Sequence, residues 1–386
     1  MKINTLSYKN TSTGWELKPI SFDNLTLLVG ASGVGKTRIL KSILDLKKIS
    51  KGESLNGVKW FIDFSTKNGN KYQWEGEFEN DGFDLNIEDI IFIPEIDDKD
   101  KAKIKTEKLH INNEIIIDRN IDGIIFNGTK TVKLSQNESI ISLLKEEEQL
   151  KDIYTEFSRI IFDNNIENTS LSRKDLGIID EKEVEFKLSE YNTLQKIRES
   201  NEDMLIKLYL FSINQQNIFN SILEAFTDIF PYIEDVKIAP IESKYIHHFL
   251  RDVLFIKIKE KGVTNWIYGT KISSGMLRTL LHIAELYLCA DSSVILIDEF
   301  ENSLGINCID EITSSIVSAE RDLQFIITSH HPYIINNINY SHWKLVTRKA
   351  GAVVARDVSE FGFDKSKHKA FTQLMNLDLY SEGVET

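Results

Sequence analysis

The stretch LLVGASGVGKTRIL, residues 27–40, constrains this chain more than any other. It fits the spacing G-x-x-x-x-G-K-[ST], with Gly30, Gly35, Lys36 and Thr37 at the fixed positions and Gly33 inside the loop. In such a loop, backbone N–H groups and the start of the next helix form a pocket for anionic phosphate oxygens. Glycine lets the backbone come close to them. Lys36 then adds a point charge on the terminal phosphates, and Thr37 offers a hydroxyl to Mg²⁺. The flanks agree with the motif. LTLLV upstream reads as a buried parallel strand, and KTRILKSILDLKK downstream repeats Ile39, Leu40, Ile43 and Leu44 at helical spacing. The expected binding set for ATP is Gly30, Ala31, Ser32, Gly33, Val34, Gly35, Lys36, Thr37 and Arg38.

Composition limits the alternatives. The chain has 386 residues, 41% hydrophobic and 27% charged, an ordinary mix for a soluble protein of one or two domains. A net charge of −13 argues against a broad basic face for DNA, while leaving room for a local patch. The two cysteines, Cys289 and Cys308, lie in apolar stretches and form no C-x-x-C pair, which argues against a zinc knuckle and for reduced core thiols. No apolar run is long enough for a membrane span, and MKINTLSYKN lacks the apolar core of a signal peptide. A cytoplasmic protein without a membrane partner is expected.

Along the chain, strand and helix periods alternate. TLSY, WELKPI and LTLLV read as strands before the first helix. Residues 58–134 turn to strands (VKWFIDF, KYQWEGEF, DIIFIPE, EIIIDR, GIIFNG and TVKLS) separated by Asn-Gly and Asp-Gly turns. ESIISLLKEEEQLKDIYTEFSRIIF then reads as one long amphipathic helix, DNNIENTSLSRKD as a polar loop, and Lys182 to Phe230 as a second helical region with a break. Strands return at IEDVKIAP and DVLFIKIKEK. A helix near 274–290, the strand SVILID, a helix near 306–319, the strand QFIIT and a short strand-rich end follow. The expected organisation is a first lobe over 1–137, a helical insertion over 138–230, and a second lobe over 231–386, in an α/β sheet domain.

Three further stretches carry chemistry. SVILIDEF ends a buried strand in Asp298 and Glu299, at the edge where open α/β sheets bind ligands. Asp298 there can hold Mg²⁺, and Glu299 can orient and deprotonate a water beside the γ-phosphate. FIITSHHP ends a second strand in Thr328, Ser329 and His330; His330 can hydrogen-bond the γ-phosphate, and one of His330 and His331 is expected to be only structural. KISSGMLRTLLHIAEL places Ser273, Ser274 and Gly275 before a helix, which is either plain capping or a second anion site.

The order of these stretches resembles an ABC-type ATPase head, a P-loop NTPase with a mixed sheet, flanking helices and a helical insertion. ISSGM resembles the signature LSGGQ, with Ser273 at the serine and Gly275 at the second glycine; Ser274 and Met276 depart from it. LIDEFENSLG resembles the Walker B and D-loop of the overcoming-lysogenisation-defect ATPases and the related AAA-15/AAA-21 group, with Phe300 in place of a proline and Gly305 in place of a histidine. TSHHP is similar to their switch segment and maps the switch histidine to His330. Gln136, in KLSQNES, is the candidate for the Q-loop glutamine on the metal. The resemblance implies that Ser273, Ser274 and Gly275 serve the nucleotide of a second copy, in a head-to-tail dimer or higher homo-oligomer. Hydrolysis would then switch an association.

Within that class, an ABC transporter subunit usually carries S-A-L-D where this chain has NSLG. A DNA-repair or chromosome-type ATPase has a long coiled coil, for which residues 138–230 are too short. The nuclease domain that follows some overcoming-lysogenisation-defect ATPases is expected to be absent, since too few residues follow His330; the acidic EIDDKD, residues 95–100, reads as surface. The remaining resemblance is to the ATPase component of the Septu, retron-associated and PARIS anti-phage systems, which implies a separately encoded effector nuclease or toxin as partner. A scaffold that binds ATP and barely hydrolyses it is the non-enzymatic alternative.

Overall fold

The chain opens with an antiparallel pair, β1 (Lys2–Asn10) and β2 (Trp15–Ser21), and then enters β3 (Leu25–Val29), in which every residue is buried. An apolar run without alternation demands cover on both faces, and a parallel sheet supplies it. α1 (Lys36–Ser50) follows the loop and buries Ile39, Leu40 and Ile43 of the expected stripe together with Leu46 and Ile49, while Leu44 is half-buried. The structure, a computed structural model, describes residues 1–80, 101–163, 181–200, 202, 204–240, 254–301, 313, 316, 321–363 and 367–385. They divide into two compact units, one of residues 1–163, 292–300 and 322–386, the other of 164–291 and 301–321.

In the first unit, β4 (Val58–Ser65) and β5 (Lys71–Phe78) alternate buried and open positions, as half-covered antiparallel strands do. β6 (Ile104–Ile111), β7 (Glu114–Asn120), β8 (Gly123–Phe126) and β9 (Thr129–Lys130) continue the meander. Two short helices, α2 (Ile140–Leu143) and α3 (Glu148–Ser158), lead to β10 (Ile160–Asp163). The expected single helix over this stretch is therefore wrong. Ser158 ends α3, and the β-branched run Ile160-Ile161 is drawn into the sheet beside another buried strand. TVKLS, residues 131–135, is not strand; the two-residue β9 (Thr129–Lys130) ends just before it. The expected strand DIIFIPE, the polar loop after residue 163, and most of the helix near 306–319 lie outside the described residues.

The second unit contains α4 (Glu181–Glu190), α5 (Leu194–Glu199), α6 (Met204–Asn214) and α7 (Gln216–Ile229), then a small antiparallel sheet of β11 (Ile233–Pro240), β12 (Leu254–Glu260) and β13 (Ile267–Tyr268). It closes with α8 (Ser274–Leu288), which packs on α6 and α7. At the far end of α8, Arg321 donates to Leu286 O at 2.6 Å and Cys289 O at 2.7 Å, covering carbonyls that the helix leaves open. Burial pushes the Cys289 thiol up to about 11, so it stays protonated at neutral pH. Residues 231–291 fall in this unit, and residues 138–163 in the first.

The chain then completes the first unit with β14 (Val294–Ile297), β15 (Gln324–Thr328), α9 (Pro332–Asn337), β16 (Trp343–Lys349), β17 (Ala352–Asp357), α10 (Lys367–Met375), α11 (Asp378–Glu382) and β18 (Val384–Glu385). The sheet order runs β10-β14-β15-β3-β16-β17-β2-β1-β4-β5-β6-β7-β8-β9, with β18 beside β16. From β10 to β16 through β3 all neighbours are parallel, and their carboxyl ends share one edge.

An aromatic cluster binds the antiparallel half to α3. Phe157 meets Trp74 and Phe64 edge to face at 5.3 and 5.5 Å. Beneath it Glu107, fully buried, accepts hydrogen bonds from Trp74 Nε1 at 3.0 Å, Ser139 Oγ at 2.5 Å and Ile140 N at 2.9 Å, with Arg119 at 3.6 Å. The carboxylate thus anchors the start of α2. Glu107→Ala leaves the Arg119 guanidinium buried without its acid and should cost about 3–5 kcal/mol, read by chemical denaturation. A loss below about 1 kcal/mol, the worth of an exposed pair, would show that the cluster is not holding these elements.

Candidate functional site

The phosphate-loop motif forms a turn whose backbone only glycine tolerates. Gly30, Gly33 and Gly35 have φ of 146°, 79° and 113°. At Gly30 the close approach is as strict as the torsion, because a Cβ there would stand 2.4 Å from Val346 O of β16. Lys36, 5% exposed, bends back so that Nζ donates to Gly30 O and Ala31 O, each at 2.8 Å. Its ammonium is thereby held at the loop's own carbonyls.

Three strand ends bring the next groups together. Asp298 follows β14, Thr328 ends β15, and Thr37 stands in the first turn of α1 after β3. Asp298 Oδ1 accepts from Thr37 Oγ1 at 3.1 Å and from Thr328 Oγ1 at 2.6 Å. Thr328 Oγ1 in turn accepts from Glu299 N at 2.8 Å, and Thr328 O from Phe300 N at 3.0 Å. Glu299 is exposed and has φ 45°, uncommon for a side-chain-bearing residue. The sequence marks Thr328 only as the end of a strand. Its bridging role depends on the parallel register, which pairs Ile297 with Ile327 and Thr328 with Leu28.

The two histidines stand at the start of α9. His331 accepts from Tyr333 N through Nδ1 at 3.3 Å and caps α9, while its own N–H donates to Ser329 Oγ at 3.0 Å. His330 is half-buried.

Gln136 is not brought to this cluster. It is exposed, and its carbonyl accepts from Ile104 N at 2.8 Å beside β6. Two residues on, Glu138 Oε2 stands 3.1 Å from where a Cβ of Gly52 would be. Gly52 lies just beyond the C-terminal end of α1, which at about 1.5 Å per residue is roughly 22 Å from the loop. Beside Asp298 the sheet places β10 instead, whose last residue, Asp163, pairs with Ile297. Reading residues 160–163 as helix hid that neighbour.

In the second unit Ser273 is the N-cap of α8, its hydroxyl accepting from Met276 N at 3.2 Å. Ser273 and Ser274 are exposed and Gly275 half-buried, with Gly275 O accepting from Thr279 Oγ1 at 2.8 Å.

Alongside α1 and the β1–β2 hairpin lies a cavity of about 230 Å³ lined by Tyr8, Thr13, Trp15, Arg38, Asp45 and Leu55 among others. Trp15 packs on Tyr8 at 5.5 Å, and its Nε1 is 3.7 Å from a Cβ position on Gly35. That nitrogen is buried and makes no hydrogen bond among the described residues. No helix among them is long and apolar enough to cross a membrane.

A family profile described as "AAA domain, putative AbiEii toxin, Type IV TA system" matches residues 25–336. The chain is 26% identical over 215 residues to Endonuclease GajA of Bacillus cereus (strain HuB5-5), covering 54% of this chain and only 28% of that protein. Among solved structures, an Smc head bound to the C-winged helix domain of ScpA superposes with TM-score 0.54 at 14% identity, over 92% of this chain and 97% of that one. An Smc head domain with an extended coiled coil, bound to the C-terminal domain of ScpA derived from Pyrococcus furiosus, gives 0.50 at 14% identity, over 94% and 98%. The fold is thus that of an ABC-type P-loop NTPase head.

Gly30→Ala adds a methyl group against Val346 O in a torsion that alanine avoids, and should cost at least about 1–3 kcal/mol. A denaturation midpoint equal to that of the unmodified chain would mean that the loop stands clear of β16.

Proposed function

The chain belongs to the AAA_21 family of AAA domains, and from that premise we propose that it binds ATP with Mg²⁺ and hydrolyses it, as a nucleotide-driven switch in anti-phage defence. The observation that carries this reading is the single carboxylate oxygen of Asp298, shared by Thr328 and by Thr37 at the end of the phosphate loop. Thr37 and Asp298 are a hard hydroxyl–carboxylate pair of the kind that holds Mg²⁺. When bound, the ion neutralises phosphate charge.

Each remaining group then has a task. Loop N–H groups from Gly30 to Thr37, with Arg38 beside them, take the phosphates. Lys36 exchanges its loop carbonyls for phosphate oxygens, a stronger charge-assisted contact. Glu299 orients the attacking water and takes its proton. His330 hydrogen-bonds the terminal phosphate. The cavity at Trp15 accepts the base, with the free indole N–H as a donor. Ser273, Ser274 and Gly275 act on the nucleotide of a second copy, so that ATP closes two copies head to tail and hydrolysis releases them. The partner under control is a separately encoded nuclease or toxin; the likeness to part of an endonuclease supports a site set beside such chemistry.

Lys36→Ala should abolish ATP binding. Glu299→Gln should bind ATP, hydrolyse it at least about 100-fold more slowly, and accumulate closed dimers by size-exclusion chromatography. Turnover at the unmodified rate in the Glu299 variant would remove that residue from the reaction. For the defence role, the chain should co-purify with a nuclease or toxin encoded beside it; an adjacent permease and no such partner would count against it.

Thr328→Val keeps the shape of the side chain and removes the hydroxyl that orients Asp298. It should weaken Mg²⁺-dependent hydrolysis about 10–100-fold, recovered in part by raising Mg²⁺. A variant with unchanged Mg²⁺ dependence would make the bridge incidental.

A further inference from the structure

Three close approaches press on the back of the phosphate loop, and all come from the chain that follows residue 340. β16 places Val346 O under Gly30, and β17 places Val353 Cγ2 3.0 Å from a Cβ position on Gly35. The third is less expected. Gly383, at φ 69° between α11 and β18, sits so near the loop that its Cβ would stand 2.5 Å from Val34 Cγ1 and 3.0 Å from Ala31 Cβ. Val34 is 5% exposed, so the larger of the loop's two apolar side chains is buried against this glycine.

The segment that carries Gly383 is clasped to the sheet. Gly383 O accepts from Arg348 N at 2.8 Å, and β18 pairs parallel with β16 through Arg348 with Val384 and Lys349 with Glu385. The Glu385 carboxylate, 8% exposed as a residue, accepts from Thr347 Oγ1 at 2.7 Å and Arg356 at 2.6 Å, with Lys349 at 3.9 Å.

We propose that the segment Gly383–Glu385 is a brace for the phosphate loop, with Gly383 as a positioning residue and the Glu385–Arg356 pair as its clasp; this rests on the nucleotide-site reading above. A loop built on three glycines has little stiffness of its own. Its N–H groups bind phosphate well only if their directions are set beforehand, and a displacement of about 1 Å is enough to lose much of that advantage. Val34 is the handle by which the brace sets them. Anything that lifts β18 from β16 therefore loosens the loop without touching the nucleotide.

The test uses the full chain. Gly383→Val pushes on Val34 and should raise the Kd for Mg²⁺–ATP about tenfold or more, with a smaller change in kcat at saturation. Glu385→Arg should act in the same direction by opening the clasp, and Glu385→Arg with Arg356→Glu should restore binding in large part. Melting without nucleotide is measured in parallel, since a merely structural glycine would lower the midpoint and leave Kd alone. In the Gly383→Ala background, Val34→Ala removes the nearest contact and should recover part of the lost affinity. Unmodified Kd and KM in both Gly383→Val and Glu385→Arg overturn the brace while leaving the site intact. A chain that binds no Mg²⁺–ATP, and so does not differ from Lys36→Ala, overturns the nucleotide site and the brace together.

Discussion

Asp298 Oδ1 accepts two hydroxyl hydrogen bonds at once, and the architecture around the site follows from that oxygen. The two donors arrive from different strand ends, one across β15 and one through the loop after β3. They meet only if β14, β15 and β3 run parallel, lie in that order and end at one level. Wholly buried residues in all three strands enforce this arrangement, because an apolar strand with no polar face has no alternative register that water tolerates. The polar cluster at the edge is thus specified by apolar burial behind it.

The loop, the Asp298–Glu299 pair and the Ser273 cap are legible in the sequence because their chemistry is local: a fixed spacing, a strand end, a helix start. The role of Thr328 is not, since nothing in QFIIT says which strand lies beside it. β10 is hidden for a related reason. Its few apolar residues continue the composition of α3, and only the presence of β14 as a partner makes extended backbone the better outcome. The choice of Gln136 fails in turn, because a glutamine in a polar stretch is placed by the tertiary route of the chain, which here leads to the far end of α1. Glu107 shows the same limit from within the core. The charged stretch DDKDKAKIKTEK, residues 97–108, reads as a solvated loop, yet its Glu107 lies in β6 and is fully buried among donors supplied by Trp74, Ser139 and Ile140.

Charge is used in two ways in this acidic chain. Where it is buried, it is anchored on several donors, as at Glu107 and Glu385, and each such group joins segments distant in sequence. At the loop the Lys36 ammonium donates to two neutral backbone carbonyls, Gly30 O and Ala31 O. Each is a weaker acceptor than an anion would be.

The route of the chain through the first unit adds a mechanical consequence. The backbone leaves that unit after Asp163, at the end of β10, and again after Phe300, directly beyond Glu299. Glu299 holds a left-handed torsion, with its N–H tied to Thr328. The next N–H, of Phe300, is tied to the carbonyl of the same threonine, and the Phe300 side chain is fully buried. One threonine thus fixes Asp298 through its hydroxyl and, through hydroxyl and carbonyl together, the strained backbone from which the Glu299 side chain leaves the strand edge.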